Sequence, residues 1–152
     1  MKLFFTSLLV VVLFLTSCEG RTGYLDRDQE LTVSTLTGAE WLMTYADYGN
    51  GHEYTFDQET QIYRFEATGK GWLANGSFDD ELMKENVSYY QWTFTTDNFT
   101  VIYMAGSVVE GYMLIEKLNS NELWVQSTQL DPVFYPNQHK TYYRFKSRKN
   151  LR

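Results

Sequence analysis

Short runs in which apolar and polar residues alternate dominate the chain from residue 40 onward. Such alternation is typical of half-buried β-strands, whose side chains point in turn to the two faces of a sheet. Turn signals such as Asn75-Gly76 separate the runs, and consecutive tight turns favour antiparallel neighbours. The pattern predicts nine strands, at residues 40–47, 53–57, 61–67, 70–74, 87–95, 99–104, 109–118, 123–128 and 141–146.

Each predicted strand has one apolar face and one mixed face. Tyr90, Trp92 and Phe94, for example, share a face, and the positions between them are mixed. A sheet closed around one core requires this division, and closure also removes exposed sheet edges. A β-sandwich is the alternative, but the pattern favours an all-β fold with a single antiparallel up-and-down β-barrel of about eight to nine strands. Helical periodicity is confined to residues 34–37 and, less clearly, 79–85.

The N-terminus has the pattern of an export signal. Lys2 precedes an apolar stretch at residues 3–15, which is shorter than the roughly 20 residues of a membrane-spanning helix. The next residues, Leu15-Thr16-Ser17-Cys18, resemble the lipobox of bacterial lipoproteins. An ordinary secretory signal with an incidental cysteine is the alternative. The resemblance implies cleavage before Cys18 and attachment of lipid to this residue.

These signals divide the chain into four parts. We predict a signal peptide at residues 1–17, a lipidated Cys18 with a flexible polar tether to residue 34, a barrel at 35–147, and a tail at 148–152. A flexible coil of 16 residues spans about 20–24 Å. The folded domain is therefore expected to work close to a bilayer without entering it.

Three segments of the predicted barrel carry a family resemblance: LTGAEW at residues 36–41, FEATGKG at 65–71 and YYRF at 142–145. Together with the lipobox, they make the chain similar to the lipocalin-like (calycin-type) β-barrel lipoproteins of Bacteroidota. Lipocalins begin with Gly-x-Trp, whereas the spacing here, Gly38-x-x-Trp41, is one residue longer. In that family a basic residue on the last strand packs over this Trp. The resemblance therefore implies that Arg144 closes the barrel floor by a cation–π contact with Trp41.

The charge balance and the scarcity of reactive side chains exclude several classes of function. The chain has 13 Lys and Arg against 19 Asp and Glu, a formal net charge of −6, whereas nucleic-acid binders need a basic patch. The single cysteine excludes a disulfide framework, and His52 and His139 lack the spacing of zinc ligands. No Gly-x-Ser-x-Gly nucleophile motif or Gly-rich phosphate loop occurs. We predict no catalytic residue, metal, cofactor or nucleic-acid partner.

The aromatic content, with 4 Trp and 12 Tyr, exceeds what a small barrel core needs. The first hypothesis is a non-enzymatic barrel that binds a small, partly apolar ligand in a mouth lined by Trp92, Tyr103, Tyr112 and Trp124. The alternative is a structural or interaction lipoprotein, in which a filled barrel docks an envelope protein or a glycan. In either case we expect a monomer, anchored through Cys18 to the outer membrane and facing the periplasm.

Overall fold

A computed structural model describes residues 26–56, 61–75 and 86–148. The signal peptide, Cys18, the predicted helix at 79–85 and most of the C-terminal tail lie outside the described residues. The described elements are one helix, α1 (Arg27–Thr37), and nine strands: β1 (Glu40–Asp47), β2 (Glu53–Thr55), β3 (Gln61–Phe65), β4 (Lys70–Asn75), β5 (Val87–Phe94), β6 (Val101–Gly106), β7 (Glu110–Leu118), β8 (Glu122–Thr128) and β9 (Thr141–Ser147).

All nine strands form one antiparallel sheet that closes on itself. The order is β2-β1-β3-β4-β5-β6-β7-β8-β9, and β1 also pairs with β9. The closed barrel therefore has eight strands, and β2 is an extra strand beside the second half of β1. The prediction of an all-β, up-and-down barrel is confirmed, and the sandwich alternative is excluded because the ladder has no break.

The predicted strands all occur, with small differences at their ends. The largest difference is at β6, which spans Val101–Gly106 rather than residues 99–104. Phe99 has a positive φ of 54° and belongs to the preceding turn. The hydroxyl of Thr96 accepts hydrogen bonds from the backbone N–H groups of Thr100 and Val101, both at 3.1 Å, and so fixes that turn.

The helix α1 begins seven residues earlier than predicted, at Arg27 rather than residue 34. Asp26 caps it by accepting from the N–H of Gln29 at 2.9 Å, while the Gln29 side chain accepts from the N–H of Asp26 at 3.0 Å. Leu36 is fully buried, and Gln29 donates to the Asp97 carbonyl at 2.6 Å, so α1 is docked on the barrel. The prediction of a flexible tether that extends to residue 34 is therefore wrong for residues 27–34, which are helical. The spacing of Asp26 and Gln29 was a capping-box signal in the sequence.

The core lies inside the barrel and is sealed at one end by α1. The indole N–H of the fully buried Trp41 donates to the Leu36 carbonyl at 2.8 Å, which joins the helix to the start of β1. We call this the helix end. The opposite end, which carries the β1–β2 hairpin and the loop at residues 129–140, is the loop end. No helix among the described residues is long and apolar enough to cross a membrane.

Candidate functional site

The inward-facing side chains pack against one another and fill the barrel. They form one buried cluster in which the exposed fraction of each side chain is at most 8 %. Edge-to-face aromatic contacts run through it, with ring centroids 5.5 Å apart for Phe65 and Trp92 and 5.3 Å apart for Tyr63 and Phe145. The remaining inward positions include Met43, Leu73, Ile102, Met104, Met113, Leu123 and Val125.

A glycine leaves room for one of these rings, that of Tyr90. The Tyr90 ring lies across Gly71 of β4, where an added Cβ would come within 2.4 Å of the ring. From this position the Tyr90 hydroxyl donates to the Arg64 carbonyl at 3.0 Å. Burial raises the pKa values of Tyr90 and Tyr63 far above the ordinary value, and burial raises the pKa of Tyr143 to about 12. These phenols are therefore neutral packing groups across the physiological range.

The four predicted ligand-binding residues do not line one common mouth. Trp92 is inside the barrel, where its indole N–H donates to the carbonyls of Glu66 at 3.1 Å and Lys70 at 2.9 Å, across the β3–β4 turn. Tyr103 and Tyr112 are neighbours on the outer face, with ring centroids 4.9 Å apart. Trp124 is also on the outer face, because Leu123 and Val125 on either side of it point inward.

The predicted contact between Trp41 and Arg144 is not formed, because the two side chains lie on opposite faces of the sheet. Trp41 is fully buried inside, whereas Arg144 is exposed outside. The Arg144 guanidinium lies 4.6 Å from the ring centroids of both Tyr45 and Trp124. Its cation–π contacts therefore join β9 to its two neighbours, β1 and β8, rather than closing the barrel floor.

Arg148, which directly follows β9 and carried no prediction of its own, ties the end of β9 to the start of β1. The backbone N–H of Arg148 donates to the Glu40 carbonyl at 2.9 Å, and its guanidinium pairs with the Glu40 carboxylate at 2.9 Å. Both side chains are partly buried. Arg148 was assigned to the tail because the alternating pattern ends before it, and only the β1–β9 pairing brings it to Glu40.

The outer face of β4 to β7 carries a shallow groove built from two adjacent rows of side chains. The first row, set by the strand register, is Lys70, Gln91, Ala105 and Glu110, and the second is Thr93, Tyr103 and Tyr112. Two cavities, of about 480 and 430 Å³, open along these rows and meet at Tyr103. We call this surface the outer groove. It combines aromatic rings with hydrogen-bonding groups of both kinds.

A second cleft lies at the loop end. It has a volume of about 460 Å³ and is lined mainly by polar groups: Glu110, Ser127, Thr128, Gln129, Leu130, Gln138, His139 and Thr141. Gln138 holds the loop in shape, since its amide donates to the carbonyls of Leu130 at 2.8 Å and Tyr135 at 2.9 Å. Phe134, in the same loop, remains 77 % exposed.

The described residues hold no group of three or more His, Cys, Asp and Glu side chains placed to bind a metal ion. His52 and His139 are both exposed in loops. No protein-family model matches the chain, and no curated protein is significantly similar to it in sequence. Function is therefore inferred from the fold and from the chemistry of its surface.

Proposed function

We propose that this chain is a lipid-anchored, non-enzymatic binding protein of the bacterial cell envelope, a lipocalin-like lipoprotein of the Bacteroidota type that binds through the outside of a filled barrel. One observation carries the proposal: the inward-facing rings are packed shut, while rings on the outer face stay accessible. Interior side chains that fill a small barrel leave no room for a ligand there. Recognition then falls to the outer surface.

The outward-facing aromatic residues support the proposal that the interior is a packed core and that binding takes place on the outside. Tyr89 is 75 % exposed, and Tyr103 and Tyr112 are partly exposed. Exposed Tyr side chains offer rigid apolar area with a polar tip, and this combination is common at recognition surfaces. We assign no catalytic residue, metal or cofactor, and we propose that the protein acts as a monomer.

The anchor in this proposal is lipid on Cys18, at the periplasmic face of the outer membrane. Asp26 already caps α1, so eight residue steps separate Cys18 from the folded domain. Eight steps of fully extended chain span at most about 29 Å. Because α1 sits at the helix end of the barrel, the anchor holds that end toward the bilayer and directs the loop end away from it.

A second candidate function is the binding of a small, partly apolar ligand. The cleft at the loop end favours it, because its volume of about 460 Å³ lies within the range of small-molecule sites. In this version the ligand sits above the packed core, against Ser127 and Thr141, rather than inside it.

Labelling and crosslinking test the proposal in intact cells. Metabolic labelling with an alkyne fatty acid should mark the wild-type chain and not the Cys18→Ser variant. A photo-crosslinking residue placed at Tyr103, Tyr89 or Phe134 should capture an envelope component, and one placed at Tyr54, on the extra strand β2, serves as a comparison. Native mass spectrometry of the purified protein checks the second candidate. A bound small molecule with no crosslink from any outward position would contradict surface binding.

A further inference from the structure

The geometry points to a carbohydrate site: we propose that the outer groove binds a neutral oligosaccharide chain. This inference rests on the proposed function, because it assumes that ligands bind outside the barrel. It names the surface and the chemical class of the ligand.

The second row of the outer groove, which we call the aromatic row, supplies the rings on which a sugar can stack. Tyr103 and Tyr112 are cross-strand partners whose rings are tilted by 45° with centroids 4.9 Å apart. Both are half-buried, so their positions are fixed while part of each ring remains accessible. The C–H faces of sugar rings are apolar and flat enough to stack on such rings, and the phenol hydroxyls offer polar contacts at the edge. Thr93, which is exposed, flanks the pair with a further hydroxyl group.

The first row of the outer groove, which we call the polar row, supplies the hydrogen bonds that sugar hydroxyls need. It lies two residues along each strand from the aromatic row, a distance of about 6.6 Å. Lys70 donates, Glu110 accepts, and Gln91 does both, so the row matches hydroxyls that are themselves donors and acceptors. Ala105 lies between Gln91 and Glu110 in this row. Because its side chain is small, the surface is depressed at this point, and a ligand can reach both rows there.

The charges favour a neutral ligand. Lys70 and Glu110 stand at opposite ends of the polar row, and neither forms a salt bridge within the part of the chain that the structure describes. One positive group together with the negative Glu110 and, at the edge of the groove, Asp131 offers no net attraction to an anionic polymer. The formal net charge of −6 further disfavours acidic polysaccharides and anionic lipid.

The length of the groove favours a chain over a single sugar. From β4 to β7 it crosses three inter-strand spacings, about 14 Å in all. Tyr89 extends it at one side, beside Lys70 and Gln91, and Tyr135 and Asp131 extend it at the other, beside Tyr112.

Affinity electrophoresis of the detergent-extracted, full-length mature protein tests the proposal. Native gels containing a neutral β-glucan, xylan, mannan or galactan should retard the wild-type chain in at least one case. Titration calorimetry with oligosaccharides of that polymer then gives the affinity. Tyr103→Ala and Tyr112→Ala should each weaken binding about tenfold, the loss expected for one stacked ring. Tyr103→Phe should keep most of the affinity, because it keeps the ring.

Tyr54→Ala is the matched control. It also removes an outward tyrosine, which is 51 % exposed, but this residue lies on β2, outside the groove. Melting temperatures measured for every variant separate lost binding from lost folding. Unchanged affinity in Tyr103→Ala and Tyr112→Ala, or no retardation by any of the four polymers, would overturn the carbohydrate site. A protein crosslinked from Tyr103 in cells, without polysaccharide binding, would also overturn it and yet leave surface binding intact.

Discussion

The guanidinium of Arg144 lies over the ring of Trp124, 4.6 Å from its centroid. The same guanidinium lies 4.6 Å from the centroid of the Tyr45 ring, and the Lys117 ammonium lies 4.4 Å from the centroid of Trp124. Aromatic and cationic groups thus alternate across β1, β9, β8 and β7 on the outside of the barrel. We call this row of four side chains the cation–π ladder. It crosses the pairing of β1 with β9, which closes the barrel, and therefore reinforces that closure.

Removal of Arg144 should therefore loosen that closure. We expect Arg144→Ala to lower the free energy of unfolding by about 1–2 kcal/mol, since two partly exposed cation–π contacts are lost. Arg144→Lys should recover less than half, because an ammonium cannot stack its plane on two rings. Urea unfolding followed by Trp fluorescence measures both. Lys146→Ala, an outward change on the same strand, is the control, and an equal loss there would argue against the ladder.

Gly71 should tolerate no side chain. The Cβ of an alanine would lie 2.4 Å from the Tyr90 ring and 2.5 Å from the Arg64 carbonyl. Because the second atom is backbone, β3 and β4 would have to separate, and we expect a loss of about 2–4 kcal/mol. Gly51→Ala is the comparison: nothing lies within 4 Å of its Cβ, so it should cost only the positive-φ strain of about 1–2 kcal/mol. Comparable losses in denaturant titrations of the two variants would contradict the packing of Tyr90.

Stability should fall in alkaline solution because of the buried phenols. Folding raises the pKa of Tyr143 to about 12 and raises those of Tyr63 and Tyr90 as well. Below a pH of about 10 both states keep these protons, so stability is fully present there. Above it the unfolded chain loses protons that the folded chain retains, and stability drops as pH rises.

The free energy of unfolding, measured by urea titration at each pH, should therefore be level near neutrality and decline above pH 10. Tyr143→Phe should make that decline shallower by up to about 1.4 kcal/mol per pH unit, the effect of one proton. Tyrosinate absorbance gives an independent titration of the folded protein. A decline that Tyr143→Phe leaves unchanged would show that Tyr143 ionises equally in both states.

The cap at Asp26 should hold the first turn of α1 in place. Asp26→Ala removes the acceptor for the N–H groups of Asp28 and Gln29, which typically costs about 1 kcal/mol. Hydrogen exchange followed by mass spectrometry should show faster exchange in the first turn and little change in the barrel. Ser34→Ala, an exposed change later in the same helix, is the control. Rapid exchange along all of α1 in the wild-type chain would favour the flexible tether after all.

Local pattern made the strands predictable. Alternation with period two placed all nine near their observed positions, and it correctly grouped Tyr90, Trp92 and Phe94 on one face, which proved to be the inner one. Alternation of this kind depends only on neighbouring residues, because a side chain and the next but one share a face. The capping signal at Asp26 was equally local, and α1 was predicted too short only because that signal was overlooked.

Residue partnerships across strands depended on tertiary structure, and two bulges explain why. Simple alternation puts Tyr45 on the same face as Met43, but the register shift between them turns Tyr45 outward, opposite Arg144. A second shift, between Ile115 and Lys117, turns Lys117 outward, opposite Trp124. An extra residue in one strand reverses every side chain after it, and pairing with the neighbouring strand determines where it sits. The sequence by itself thus determined the strands and the barrel, whereas register and bulges decided which aromatic residues fill the barrel and which lie on its outer face.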